Sequence, residues 1–300
     1  MQKAKVYFHS VKKQDLKNVS KIARDLLEKI VAREKIVLEK EIPLKIHAGE
    51  PGNISYIKPK NYDGIISYFK EKNIKTYYVE TTTVTGSRNS ASGHIQVAKE
   101  HGFGQIPFRI FDGENGLNYT DVPVKAGHHF KSAKIASGFS DKKQVLVLSH
   151  FKGHIASGFG GAIKMLGIGF ASRVGKIEQH AKNFTLSKKT INWGLDPLYR
   201  GFEFRERTAE YALAASKGKK NIYLAFALDI VKNCDCDGMP MEAIYKDLGI
   251  FASVDPVAID KSCFEMLFQR EGKKPFLGDD IFPYAEKIGL GTGKYELISA

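Results

Sequence analysis

Residues 146–182 read LVLSHFKGHIASGFGGAIKMLGIGFASRVGKIEQHAK, and the reading of this stretch decides the fold. It opens as a strand, Val145 to Ser149, apolar along almost its whole length, as a strand buried inside a parallel sheet would be. The apolar run stops where His150 and His154 arrive. Gly158, Gly160 and Gly161 then free the backbone for positive φ or for close approach to another group. A helix-compatible run, Ala162 to Leu166, follows, with Lys164 just inside it, and His180 closes the stretch. In an open α/β sheet, ligands bind beyond the carboxyl ends of the strands. A strand that runs into His-x-x-x-His and a glycine-rich turn therefore has the layout of a site. The plainer alternative is a tight strand-to-helix turn with two surface histidines.

Outward from this stretch, strands and helices alternate. Strands are expected at residues 4–8, 42–46, 76–79, 106–111, 221–228 and 247–253, and a final one in the tail. Helices are expected at 15–31, with Leu16, Val19, Ile22, Ala23, Leu26, Leu27 and Ile30 on one face, and at 61–72, 93–101, 204–217 and from Pro256 to about Arg270. A β-like excursion, Tyr119 to Val124, leads into a weaker helix, Phe130 to Phe139. The alternation predicts an α/β fold with a mainly parallel, Rossmann-like sheet and right-handed crossovers. Residues 183–203 have no period and read as a connector. They divide an N-terminal α/β lobe, 1–185, from a smaller C-terminal lobe, 200–300, unless the two form one continuous domain.

Nearly every apolar strand is followed by groups able to do chemistry: His47 and Glu50, Thr81 and Arg88, Asp112, His150 and His154, Cys234 and Cys236, and Asp255. Parallel strands would gather them at one sheet edge. A carboxylate such as Glu50 beside His47 would raise the imidazole pKa and suit it to general-base work. The Cys-Asp-Cys run offers two thiolates to a metal, or is a turn with two reduced thiols. Asp255-Pro256 reads as a helix N-cap followed by proline at the first helical position, and Asp260 as a solvated group. The glycines do not spell a dinucleotide or phosphate-loop fingerprint, so an anion would rest only on amides at a helix start.

No apolar run approaches the roughly 18 residues of a membrane span, and the start lacks a secretory signal, so a cytoplasmic protein is expected. Three cysteines make no disulfide framework and cannot build a four-cysteine cluster. The net charge of +13 raises nucleic acid as a partner, but the lysine pairs are scattered and no basic stripe interleaves with aromatics. A lysine-rich solvated surface, or a field that attracts a small anion, accounts for it.

LKIHAGEPGN, TGSRNSASGHIQVAKEHGF, DGENG, the block from Ser149 to His180, NCDCDGMP, DLGIFASVDPVAID and GLGTGKYEL together resemble the family called domain of unknown function 362 along almost the whole chain. Many members of that family carry a ferredoxin-like module with two four-cysteine motifs soon after the position of His180. No cysteine stands between Asn183 and Glu203 here, so an iron–sulfur cluster is not expected. His154, Lys164 and His180, with GFGGAIKMLGIGFAS between, also resemble the core of the nickel-pincer lactate racemase family. That resemblance implies proton transfer at His154, a modified pyridinium cofactor held by Lys164 and nickel ligated by His180. Arg88 stands near where a second catalytic histidine would fall, with His94 or His47 as substitutes.

The sequence thus supports a metal- or metallocofactor-dependent enzyme acting on a small anionic substrate by proton or hydride transfer. His154, His47 and Glu50 are the candidate catalytic groups. Lys164, Gly158, Gly160, Gly161, Arg88 and Asp112 are candidates to hold cofactor or substrate, and His180, His150, Cys234 and Cys236 to hold metal. The alternatives are a non-catalytic binding or redox partner of another protein, and nucleic-acid binding.

Overall fold

The computed structural model describes residues 3–182, 184–186, 191–193 and 198–300. Among these residues eight strands form one sheet: β1 Ala4–Ser10, β2 Leu44–Lys45, β3 Tyr78–Glu80, β4 Phe108–Ile110, β5 Leu146–His150, β6 Ile222–Ala227, β7 Gly249–Ser253 and β8 Tyr295–Ser299. Their order is β8-β1-β7-β6-β5-β2-β3-β4. Only β7 opposes its neighbours, β1 and β6; the other pairs are parallel. The fold is α/β with a mainly parallel sheet, as expected.

The expected boundary near residues 185–200 does not divide this sheet. β1 sits between β7 and β8, and β6 pairs with β5, so strands from both proposed lobes interleave. Part of the aperiodic connector lies outside the described residues. Within it, Phe184–Leu186 pairs antiparallel with Ile191–Trp193.

The sheet is covered on both faces, and side chains alternate along each strand to supply two cores. Leu146, Leu148 and Leu224 pack with the helices α1 Val19–Arg33 and α2 Asp63–Glu71. Val147, Tyr223 and Ala225 pack with α4 Ala162–Gly167, α6 Gly201–Ser216 and α7 Pro256–Glu271, while α3 Ala91–Glu100 and α5 Arg173–His180 complete the series up to α7. The apolar stripe of α1 is buried as predicted, except Leu16, which lies in a 3₁₀ turn before the helix and is 45% exposed.

Two local expectations are corrected. Residues 130–139 are not a helix: Ser132–Ala136 pairs antiparallel with Tyr119–Pro123, and a 3₁₀ turn at Ser137–Phe139 follows. The alternation of Ala133 and Ile135 with Ser132 and Lys134 is a period of two. The glycine-rich block is not a bare turn either, since Lys152–His154 and Gly158–Gly160 form a two-stranded hairpin. Among the described residues no helix is long and apolar enough to cross a membrane.

Strands β2, β3, β5 and β6 all point their carboxyl ends at one rim. His47, Thr81 and His150 emerge there, and the loop after β6 brings the Cys-Asp-Cys run to the same place. Asp255 does not join them. It follows β7, the reversed strand, so it lies at the opposite rim, where its Oδ1 caps α7 by accepting the Val257 and Ala258 amides, each at 2.9 Å.

Candidate functional site

A cleft of about 290 Å³ opens at the rim where the parallel strands end. His47, Glu50, Arg88, His150, His154, Gly160, Gly161, Lys164, His180, Cys234 and Cys236 line it. So do Lys45, Glu80, Lys152 and Lys176, which the sequence reading did not single out. A charge inside an apolar strand was the available signal for two of these: Lys45 interrupts IPLKI, and Glu80 ends β3. Lys45, Arg88, Lys152 and Lys164, with Lys176, whose pKa burial brings down to about 7, therefore face Glu50, Glu80 and the Cys234 thiol across the cleft, so basic groups outnumber acidic ones there.

Glu80 is the buried anion around which the basic groups are arranged. It accepts the Ala48 amide at 2.7 Å and pairs with the Lys45 ammonium at 3.3 Å. His94 lies 3.3 Å from it and is not among the lining residues. Lys45 also donates to the Ile46 carbonyl at 2.6 Å. Burial would raise the Glu80 carboxyl, but Lys45 and His94 hold it well below the ordinary range.

Glu50 does not partner His47. Its carboxylate accepts the Arg88 Nε at 2.7 Å and the Ser87 amide at 2.6 Å, and so holds Arg88 in place. Arg88 is only 1% exposed. Its Nη1 is 4.0 Å from Glu80, and its Nη2 has no hydrogen-bond partner among the described residues.

The hydrogen bonds of the four cleft histidines fix what each ring can do. His47 Nδ1 accepts the Gly49 amide at 3.1 Å, which places the ring proton on Nε2. Burial, aided by Arg88, pushes its pKa down to about 3, so the ring is neutral and a donor, not the base with raised pKa that was expected. His154 Nδ1 accepts the Ala156 and Ser157 amides at 3.2 and 3.0 Å, so its proton is also on Nε2. His180 is the reverse: Nδ1 donates to the Lys176 carbonyl at 2.7 Å, the Nε2 lone pair has no partner among the described residues, and burial lowers its pKa to about 4. His150 is fully occupied, with Nδ1 against Asp235 at 3.0 Å and Nε2 against the Leu228 carbonyl at 2.7 Å. Both of its ring nitrogens, expected to be open to a metal, are engaged within the protein.

Three other expected ligand groups have close contacts within the protein. Asp112 is fully buried and joins loops, accepting the Thr82 amide and hydroxyl at 2.9 and 2.8 Å and the Arg173 amide at 3.0 Å. Gly158, at φ +83°, lies where a Cβ would strike the Leu277 carbonyl at 2.0 Å, so it serves packing, not a ligand. Gly161 opens the start of α4 to Asp260, whose carboxylate takes the Ala162 and Ile163 amides at 2.6 and 2.9 Å. A Cβ on Gly161 would sit 2.3 Å from Asp260 Oδ1. The helix-start amides are thus engaged by Asp260, which is buried rather than solvated.

Burial pushes the Asp260 carboxyl up to about 7. The folded protein therefore holds this proton more tightly than the unfolded chain. The group's contribution is full below about pH 4 and is lost as pH rises through about 7. Asp260→Asn should flatten the urea midpoint over that window. Asp260→Ala should cost about 2–4 kcal/mol, because two buried amides lose their acceptor.

The Cys-Asp-Cys loop is set by its middle residue. Asp235 is buried beneath it, accepting the Ser55 hydroxyl at 3.0 Å and pairing with His150 and Lys152. This turns Cys234 and Cys236 to the cleft. The Lys164 ammonium lies 3.7 Å from Cys234 Sγ, and the Cys236 amide donates to the same sulfur at 3.4 Å. The Cys236 thiol, Lys164 and His154 together hold the Cys234 thiol well below its ordinary range, against the opposing effect of burial. Thiolate absorbance should therefore appear at lower pH than for an ordinary cysteine thiol, and should move back up in Cys236→Ala and also in Lys164→Met.

A family model described as Domain of unknown function (DUF362) matches residues 42–265. No curated protein matches. Among solved structures, the lactate racemase apoprotein from Thermoanaerobacterium thermosaccharolyticum matches with TM-score 0.50 at 14% identity, over 87% of this chain and 56% of that one. A protein from Thermotoga maritima matches with TM-score 0.44 at 12% identity, over 84% of this chain and 58% of that one. The chain spans little more than half the length of either, and the likeness to the racemase apoprotein is one of fold.

Proposed function

The chain belongs to the DUF362 family, and from that premise we propose that it is a cytoplasmic, metal- or metallocofactor-dependent enzyme that moves a proton or hydride on a small anionic substrate. One observation carries this reading: the buried Arg88 guanidinium lines the cleft with Nη2 lacking a partner among the described residues. A buried polar group left unpaired costs about 1–3 kcal/mol, more when charged, and a bound carboxylate or phosphate would remove that cost. The surplus of cations around it favours the same occupant.

With the anion on Arg88, the Nε2–H groups of His47 and His154 are donors for an oxygen on the substrate. The Nε2 lone pair of His180 is the acceptor position, for a proton or a metal. Two residues of the cleft would suit the cofactor that the racemase resemblance implies. Lys164 would hold it from the cleft wall. His180 would ligate its metal, with Nδ1 tied to a carbonyl as imidazole ligands commonly are. When bound, such a group supplies a hydride acceptor. Arg88 in the place of a second catalytic histidine makes that position one for binding the anion rather than moving a proton.

Protein made with the full cofactor pathway available should contain metal and interconvert the enantiomers of lactate or a related 2-hydroxy acid; the α-hydrogen exchanges with solvent deuterium if it moves as a proton and is retained if it moves as a hydride. His180→Ala should slow the interconversion roughly 100-fold or more. Absence of metal, or interconversion unchanged in His180→Ala, would overturn the reading.

A further inference from the structure

We propose that Cys234, Cys236 and His154 form a site for a thiophilic divalent metal ion, Zn²⁺, Co²⁺ or Ni²⁺, with an open fourth position facing the cleft. The inference goes beyond the reading above, since it needs neither a cofactor on Lys164 nor a ligand at His180. A ring nitrogen of His154 and the two sulfurs all lie within 4.8 Å of one another. Donors around a tetrahedral metal bound at about 2.3 Å stand roughly 3.8 Å apart, so closure by about 1 Å makes the site.

Three features build it in advance. Asp235, anchored by Ser55, His150 and Lys152, points away from the cleft and so turns both of its cysteine neighbours towards it. The Cys236 amide already donates to Cys234 Sγ at 3.4 Å, a contact that stabilises a metal-bound thiolate equally well. Lys164, 3.7 Å from the same sulfur, offsets the negative charge that two thiolates bring.

His154 Nδ1 now accepts the Ala156 and Ser157 amides, so metal binding at Nε2 needs the other neutral tautomer of the ring. The ring proton moves from Nε2 to Nδ1, the two amides turn aside from it, and the cysteine pair releases its remaining thiol proton to solvent. With the ion bound, His154 is a ligand and no longer a donor to substrate. Soft sulfur and imidazole donors select these ions over Mg²⁺ or Ca²⁺. Three protein ligands with one position open is the arrangement of catalytic rather than structural zinc. Cys236 is exposed and gives the ion an entry.

The test is a Co²⁺ titration of the full chain produced without any cofactor supply, read by the thiolate-to-cobalt charge-transfer band. One Co²⁺ per chain should bind with that band. Cys234→Ser and Cys236→Ser should each weaken binding about 100-fold or more, beyond what loss of an outer partner costs. His154→Ala should weaken it while the band persists, and Cys263→Ser, at the remaining buried thiol, should change nothing. On the unaltered protein, bound Zn²⁺ should protect Cys236 from alkylation, which removes any dependence on how a variant folds.

Cobalt binding without the band, binding unchanged in both cysteine variants, or no protection of Cys236 would overturn the proposal. If the band is lost in His180→Ala but kept in the cysteine variants, this site fails while the function proposed above stands. If the cysteine variants lose the band and no interconversion of 2-hydroxy acid enantiomers is found in any preparation, the metal site stands and that function fails.

Discussion

Arg88→Met should weaken binding of a 2-hydroxycarboxylate about 100-fold, measured by calorimetric titration against lactate with phosphate as a comparison. A charge-assisted hydrogen bond at a buried site is worth about 1.5–3 kcal/mol, and 1.4 kcal/mol is a factor of ten, so losing the guanidinium accounts for one to two decades. The variant should also unfold more easily, by about 3 kcal/mol, because Glu50 and Glu80 lose their shared partner while Glu80 keeps Lys45. Two further variants separate the effects. Arg88→Lys keeps the charge but reaches only one carboxylate, so it should restore stability better than affinity. Arg88→Met combined with Glu50→Gln should recover part of the stability and none of the anion binding. Affinity equal to that of the unaltered protein in Arg88→Met would remove the anion from this position, and with it the main support for the enzyme reading.

How much of this was legible in the sequence depends on which interactions are local. The strand Val145–Ser149 and the residues just past it could be read because a strand covered on both faces is apolar along its length and ends where polar groups begin. Chain order then implied that His47, His150, His154 and the Cys-Asp-Cys loop share a rim. The reversal of β7 was also written there, though unread. Between Leu228 and Asp247 no helical period intervenes, and a parallel return needs a crossover, so the strand comes back antiparallel and takes Asp255 to the far rim.

Other features depend on pairings far apart in the chain, which no spacing rule reaches. Asp260 caps a helix 97 residues before it. Glu50 chooses Arg88, 38 residues on, over His47, which is much nearer in sequence. The ring tautomers are set by single backbone amides at Gly49, Ala156 and Ser157 and by the Lys176 carbonyl, so at His47, expected as a general base, Nδ1 is already engaged and the proton sits on Nε2.

Asp235→Ala should produce the largest loss of stability among these substitutions, about 3–5 kcal/mol, the range for removing one partner of a buried ion pair. It would leave the Lys152 ammonium and His150 buried without their counter-charge, and Ser55 without its acceptor. Asp235→Asn keeps an acceptor for Ser55 and His150 but no charge, so it should lose about half as much.

The pH dependence is diagnostic. Burial alone would raise the Asp235 carboxyl, but Lys152 and His150 depress it far below the ordinary range. A group whose folded pKa is depressed contributes stability that is fully present above the unfolded pKa, about 4, and is lost only as pH falls through the folded value. The difference in urea midpoint between the unaltered protein and Asp235→Asn should therefore be flat from pH 5 to 8 and shrink in acid. Asp260, whose pKa is raised, should show its change inside the window where Asp235 shows none. Alkylation of Cys234 should also accelerate in Asp235→Ala, since the loop that holds both thiols at the cleft is no longer anchored. Equal urea midpoints, or a difference that grows from pH 5 towards pH 8, would mean that Asp235 is not the charged anchor of that loop.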